Sequence, residues 1–210
     1  MRAQSIKSQV YEGIMKDILD GVYQANDIIN EKNLVEKYGV SKTPVREALV
    51  QLCSEGVLQN IPRFGYQLKA ILPNQIIELI EFRKVIELGA LEQCFDRITK
   101  EQLERLKEMN EVAESISKTP NPKLHWDSNF EFHRVLCSFS ENQYLQQSLE
   151  TTLQLCTRIS NQYFKKMWRE SRVTDGTNHV YLVQAIEEQN LELAKSILKE
   201  DVEAFRKEIL

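Results

Sequence analysis

Few residues in this 210-residue chain combine type and spacing in a way that could do chemistry. Around positions 41–46, Ser41, Lys42, Thr43 and Arg46 gather two hydroxyls, an ammonium and a guanidinium on the outer N-terminal part of one helix. The free N–H groups and dipole of a helix N-terminus add to that set, and together they suit a phosphate. Histidine occurs three times, at His125, His133 and His179, and neutral imidazole is a common metal ligand. The four cysteines, at 53, 94, 137 and 156, are far apart and form no Cys-x-x-Cys pair. They read as reduced, packed thiols. No nucleophile or acid–base pair stands beside the histidines, so the chain is not expected to be an enzyme.

The elements that must position these groups follow from periodicity. Ile6, Val10, Ile14 and Ile18 repeat every fourth residue, as one stripe of an amphipathic helix does, and Asp20-Gly21 stops it. After a polar turn, a short helix is expected from about Glu31 to Tyr38, with Gly39 as its left-handed terminator. Ser41 or Thr43 can cap the next helix, and Pro44 fits its first turn, where no intrahelical N–H is required. Val45, Ala48, Leu49 and Leu52 then form its buried face. Gly56 ends it. Val57-Leu58-Gln59 and Tyr66-Gln67-Leu68 read as two short strands around a turn holding Pro62-Arg63-Phe64-Gly65. Three helices and a small hairpin give the order of a winged helix-turn-helix.

Beyond Leu72-Pro73 the pattern becomes wholly helical, with six segments expected at roughly 74–96, 100–117, 123–139, 143–169, 175–189 and 191–208. Breaks fall at 96–99, 119–122, 140–142, 171–175 and 189–190. The expected fold class is therefore mostly α, with a winged helix-turn-helix at 1–72 and an all-helical bundle of about six helices at 73–210. Composition agrees: 42% hydrophobic and 28% charged residues, with only seven glycines and five prolines, support an ordinary helical core. The start of the chain shows no apolar secretory segment, and no stretch is long and apolar enough for a membrane span, so a cytoplasmic protein without a membrane role is expected. The net charge is −4, but it is unevenly spread. Residues 1–72 carry nine Lys/Arg against eight Asp/Glu, and residues 73–210 carry eighteen against twenty-three.

The segment VYEGIMKDILDGVYQANDIINEKNLVEKYGVSKTPVREALVQLCSEGVL resembles the N-terminal domain of the GntR family of bacterial transcription regulators, most specifically at GVSKTPVREAL. The resemblance implies a helix that enters the DNA major groove by its N-terminal end. Carried over by position, DNA contacts fall on Lys32, Ser41, Lys42, Thr43 and Arg46, and on Arg63 and Gly65 at the wing. Arg46 can reach a guanine edge with two hydrogen bonds. Many relatives carry Arg where Lys32 and Lys42 stand; Lys lacks the planar fork, so these two suit phosphate rather than bases. One such domain covers half a site, which implies a homodimer on a palindromic double-stranded operator.

Residues 74–206 resemble the ligand-binding domain of the FadR branch, called FCD, through EFRKVIELGALE, NFEFHRVLCSFSEN and NHVYLVQAIEEQNLELAKSILKEDV. The helix count fits the shorter VanR-like form. Many relatives hold a divalent cation there, and the corresponding positions are Asn129, His133, His179 and Asp201. Asn129 and His133 lie one helical turn apart on one face. The set departs from the usual one at two places, with an amide for an acid and a carboxylate for a histidine, yet suits Zn, Ni, Mn or Fe. Arg83 and, more weakly, Arg158 match positions that face the cavity and grip a carboxylate effector. An Arg83–Glu87 pair at i, i+4 is the plainer alternative. The implied function is a regulator, in most such families a repressor, whose DNA affinity answers to a small organic acid and a bound metal. A metal-only or effector-free DNA-binding regulator is the second reading.

Overall fold

Ser5 opens the first helix by accepting a hydrogen bond from the Ser8 N–H, and Val10, Ile14 and Ile18 then bury one side of α1 (Ile6–Leu19). The structure is a computed structural model and describes residues 5–118, 122–169 and 177–210. It divides into two compact units, Met1–Leu72 and Pro73–Leu210.

In the first unit β1 (Ile28–Ile29) precedes α2 (Glu31–Tyr38), whose N-cap Asn30 accepts from the Lys32 N–H. Gly39 closes α2 at φ +63°, the left-handed conformation expected there. α3 (Lys42–Ser54) buries Val45, Ala48, Leu49 and Leu52 against α1. Of the two expected caps, Ser41 takes the N-cap position, though its hydroxyl makes no capping hydrogen bond, and Thr43 falls inside the helix. The hairpin is β2 (Leu58–Ile61) and β3 (Gly65–Leu68), joined through Pro62–Phe64.

Sequence reading expected two strands, and the sheet has a third. β1 pairs antiparallel with β3, Ile28 opposite Gln67 and Ile29 opposite Tyr66, giving the order β1-β3-β2. Two residues are too few to show an alternation, and Ile28 and Ile29 look like a loop until β3 is there to pair with them. This pairing fixes Gly65. Its φ is +128°, and a Cβ there would lie 2.7 Å from the Ile29 carbonyl oxygen. The wing is thus tied to the segment that leads straight into α2.

The second unit is helical throughout the described residues: α4 (Pro73–Cys94), a 3-10 turn (Phe95–Arg97), α5 (Lys100–Ser117), α6 (Pro122–Ser138), α7 (Gln143–Arg169), α8 (Thr177–Glu187) and α9 (Leu191–Ile209). The six expected helices are present. The expected breaks at 119–122 and 171–175 fall wholly or largely outside the described residues. Capping explains several starts. Thr99 and Gln102 form a reciprocal capping box on α5, Asn142 accepts from the Tyr144 and Leu145 N–H groups, and Asn190 accepts from Leu193.

α4 packs against α6, α7 and α9, and α8 packs against α9. Trp126, Phe130 and Phe205 tie α6 to α9, with ring centroids 5.1 Å apart for Trp126–Phe205 and 5.7 Å for Trp126–Phe130. The buried face of α4 is unusual in its chemistry: Ile76, Ile80, Ala90, Leu91 and Cys94 share it with Arg83 and Glu87. Two opposite charges have been placed in an apolar stripe, where an unpaired charge would be costly. The other side of α4 leaves Ile77, Phe82 and Val85 exposed. Among the described residues no helix is long and apolar enough to cross a membrane, and all four cysteines are free.

Candidate functional site

Two sets of polar side chains are built by these elements. On the first unit, Ser41, Lys42, Thr43 and Arg46 are all exposed at the N-terminal end of α3. Val45, Ala48 and Leu49 anchor the opposite face, so burial of the apolar stripe is what turns the polar one outward. Lys32 lies on the first turn of α2 with its side chain 83% exposed, near Glu36 at 3.9 Å. Arg63 is exposed in the wing turn at φ +71°, beside an exposed Phe64. Gly65 is accounted for by its approach to β1.

Arg46 has a partner. Its Nε donates to Glu31 Oε1 at 3.0 Å and its Nη2 donates to Glu31 Oε2 at 3.2 Å. Lys42 Nζ lies 3.3 Å from the same carboxylate, and the Tyr66 hydroxyl donates to Oε1 at 3.4 Å. The hydrogen bond from Arg46, opposed by some burial and joined by Lys42, holds the Glu31 carboxyl below its ordinary range.

The second set is buried between α4, α6, α8 and α9. The Nε2 atoms of His133 and His179 lie 3.0 Å and 3.3 Å from one oxygen, Oδ2 of Asp201. All three residues are buried, and one ligand atom from each lies within 4.8 Å of the others. His133 Nδ1 meets Glu87 Oε2 at 2.5 Å, and Arg83 Nε donates to Glu87 Oε1 at 2.5 Å. The Asn129 amide approaches His179 Nε2 at 3.4 Å, while Phe132 stacks on the His179 ring at 3.9 Å.

The electrostatics of this group are those of coupled charges out of water. Burial would raise Glu87, but Arg83 and His133 outweigh it and hold its carboxyl below the usual range. Burial opposes charge on His133 too, and Glu87 reverses the balance, raising it. Asp201 is held well below its ordinary value, its burial overcome by the two histidines.

A metal ion fits these residues by a direct test. His133 Nε2 is fully buried and, despite its distance to Asp201, makes no aligned hydrogen bond. That nitrogen faces the Asp201 carboxylate alone, while Nδ1 on the other side of the ring is fixed by Glu87. That is the outer-sphere arrangement that orients a ligating imidazole. A half-turn of the Asn129 amide presents an oxygen where its nitrogen now lies.

Comparison with known proteins decides the family. Residues 6–67 match the family described as bacterial regulatory proteins, gntR family, and residues 78–204 match the FCD domain. The chain belongs to the GntR family and carries an FCD domain. It is 30% identical to the HTH-type transcriptional regulator YdhC of Bacillus subtilis over 68% of its own length and 64% of that protein's, so the match spans under two thirds of YdhC. It is 23% identical to the transcriptional repressor RspR of Escherichia coli over 97% and 84% of the two chains. Among solved structures, McbR/YncC of E. coli has the same fold, with a TM-score of 0.77 at 21% identity over 96% and 95% of the two chains.

For this GntR-family chain, the four metal positions expected from sequence do come together, as do Arg83 and Glu87. Arg83 is 1% exposed, grips Glu87 and leaves its Nη2 buried without a hydrogen-bond partner. Arg158 is buried on α7, and burial pushes its pKa down. Two acids that belong to these clusters were missed as such. Glu87 entered only as a partner for Arg83, although a charged pair inside the apolar stripe of α4 was a usable signal. Glu31 gave no signal beyond an acid at a helix start, since Arg46 is 15 residues away.

Proposed function

We propose that this protein is a DNA-binding transcription regulator, of the repressor kind, that acts in the cytoplasm as a homodimer on a palindromic operator. The observation that carries the reading is the outward row Ser41, Lys42, Thr43 and Arg46 at the N-terminus of α3, backed by a fully apolar inner face. Arg46 reads a guanine; Lys32, Lys42 and the hydroxyls of Ser41 and Thr43 hold phosphates; Arg63 and the backbone at Gly65 follow from the wing. Exposed Ile77, Phe82 and Val85 on α4 support pairing with a second copy.

In the helical unit, His133, His179, Asp201 and Asn129 would hold a divalent metal, Zn, Ni, Mn or Fe, with Glu87 fixing the His133 ring from behind. Such an ion supplies a Lewis-acidic anchor for a carboxylate. The chain's own residues do the rest: Arg83, with a buried N–H group still unused, offers charge-assisted hydrogen bonds to a small organic acid, and Arg158 is the weaker second cation. An effector changes DNA affinity only through different affinities for two arrangements of the protein. A metal-only regulator is the second reading, favoured by the direct Arg83–Glu87 pair, which already uses the Nε–H and much of the charge of the guanidinium.

Selection of duplexes from a random DNA pool tests the proposal. The expected product is an inverted repeat protected by two copies of the chain. Enrichment of no sequence at physiological salt would overturn it.

A further inference from the structure

Arg46 meets one carboxylate through one edge only. A guanidinium has two donor pairs able to make parallel hydrogen bonds: a side edge, Nε–H with Nη2–H, and an end edge, Nη1–H with the second Nη2–H. Glu31 takes the side edge, at 3.0 Å and 3.2 Å. Nη1 has no partner among the described residues, and the Arg46 side chain is 55% exposed against 18% for Glu31. The acid is the fixed member of the pair. It stands at the first residue of a capped helix, and Lys42 and the Tyr66 hydroxyl hold the same carboxylate.

We infer that Glu31 is a specificity-determining positioning residue, which fixes Arg46 by its side edge so that the end edge meets guanine O6 and N7. The inference rests on the proposed DNA reading by α3. A free arginine must lose its rotamers to make a two-bond contact, and it meets any phosphate as readily as one base edge. Held by Glu31 through two hydrogen bonds, its guanidinium has already lost much of that freedom before DNA arrives. The same carboxylate neutralises part of Arg46 and Lys42, which lowers attraction to DNA of any sequence. Glu31 therefore acts in opposite directions on the two kinds of DNA: it strengthens binding to the operator and weakens binding to everything else. A residue that only stabilised α2 would move both the same way.

The test uses the full chain, a duplex selected from a random pool by the parent protein, and a shuffled duplex of equal length and composition. Both are titrated at one fixed ionic strength with the parent, Glu31→Gln, Glu31→Asp and Arg46→Ala. Glu31→Gln keeps the shape and removes the charge and one acceptor. It is expected to bind the shuffled duplex more tightly and the operator more weakly, cutting their affinity ratio by about five- to tenfold or more, within the range of one lost base contact. The shorter Glu31→Asp falls between it and the parent. Equal unfolding temperatures for parent and variant accompany that result. A Glu31→Gln ratio equal to the parent's, or a loss in proportion on both duplexes, overturns the inference while Arg46→Ala still loses the operator. If Arg46→Ala binds the operator as the parent does, the DNA reading of α3 itself is wrong, and the inference goes with it.

Discussion

Removing Glu87 should be far more damaging than its position on a long helix suggests. The side chain is 3% exposed and has two partners, Arg83 and His133, each at 2.5 Å. Glu87→Met replaces it with a side chain of similar length and leaves Arg83, itself 1% exposed, as an uncompensated buried cation. Breaking a buried pair from one side costs about 3–5 kcal/mol, and the loss of the His133 contact puts this variant at the upper end, about 5 kcal/mol. Arg83→Met is milder, about 3 kcal/mol, because Glu87 keeps His133. The double variant removes both charges and should recover much of the loss, since an apolar pair of similar volume is often neutral in such a site. Both tryptophans, Trp126 and Trp168, lie in the 73–210 unit, and Trp126 packs on Phe130 and Phe205. Tryptophan fluorescence therefore reports that unit's unfolding, followed in chelator to keep metal linkage out. At about 3 °C per kcal/mol for a unit of this size, Glu87→Met should melt about 15 °C below the parent. A drop of only a few degrees, or a double variant no better than Glu87→Met, would refute the reasoning.

Other outcomes follow from the same geometry. A divalent ion held by His133, His179 and Asp201 should raise the unfolding free energy of the helical unit by about 2.7 kcal/mol at a hundred times its Kd; calorimetry of His133→Ala/His179→Ala should show no such gain. Gly65→Ala places a Cβ 2.7 Å from the Ile29 carbonyl at a positive φ, and should destabilise the winged unit by about 1–3 kcal/mol in chemical denaturation; no loss would mean that β1 does not hold the wing. Tyr11 and Tyr38 are both pushed up to about 12, chiefly by burial, with Glu55 and Asp17 adding to it. Their folded pKa values exceed the unfolded one, so their contribution to stability is full below about pH 10 and is lost as pH rises towards 12; two tyrosines ionising late in an absorbance titration would check this.

Much of this architecture was legible in the sequence for local reasons. The stripe Val45, Ala48, Leu49 and Leu52 gave α3 and its orientation, and Gly39 gave the end of α2, because each depends on neighbours within two turns. The six helices of the second unit were readable from apolar spacing. What could not be read were pairings between distant elements. β1 exists only because β3 lies beside it, and Glu31 and Glu87 gain their roles from Arg46 and His133, 15 and 46 residues away. Asn129, His133, His179 and Asp201 were found through family resemblance, since spacing alone joins only Asn129 to His133. Apolar residues alone do not tell which side of α4 is buried: Ile77 and Val85 are exposed, because α4 carries apolar residues on two faces and the chain covers one.

The most direct measurement is the affinity of the full chain for its selected operator, parent against Arg46→Ala, at one fixed salt concentration. A guanine contact from the N-terminus of α3 predicts a loss of about ten- to a hundredfold on the operator, well beyond the smaller loss on shuffled DNA that removing one cation brings. Equal operator affinity in the two proteins would contradict the account.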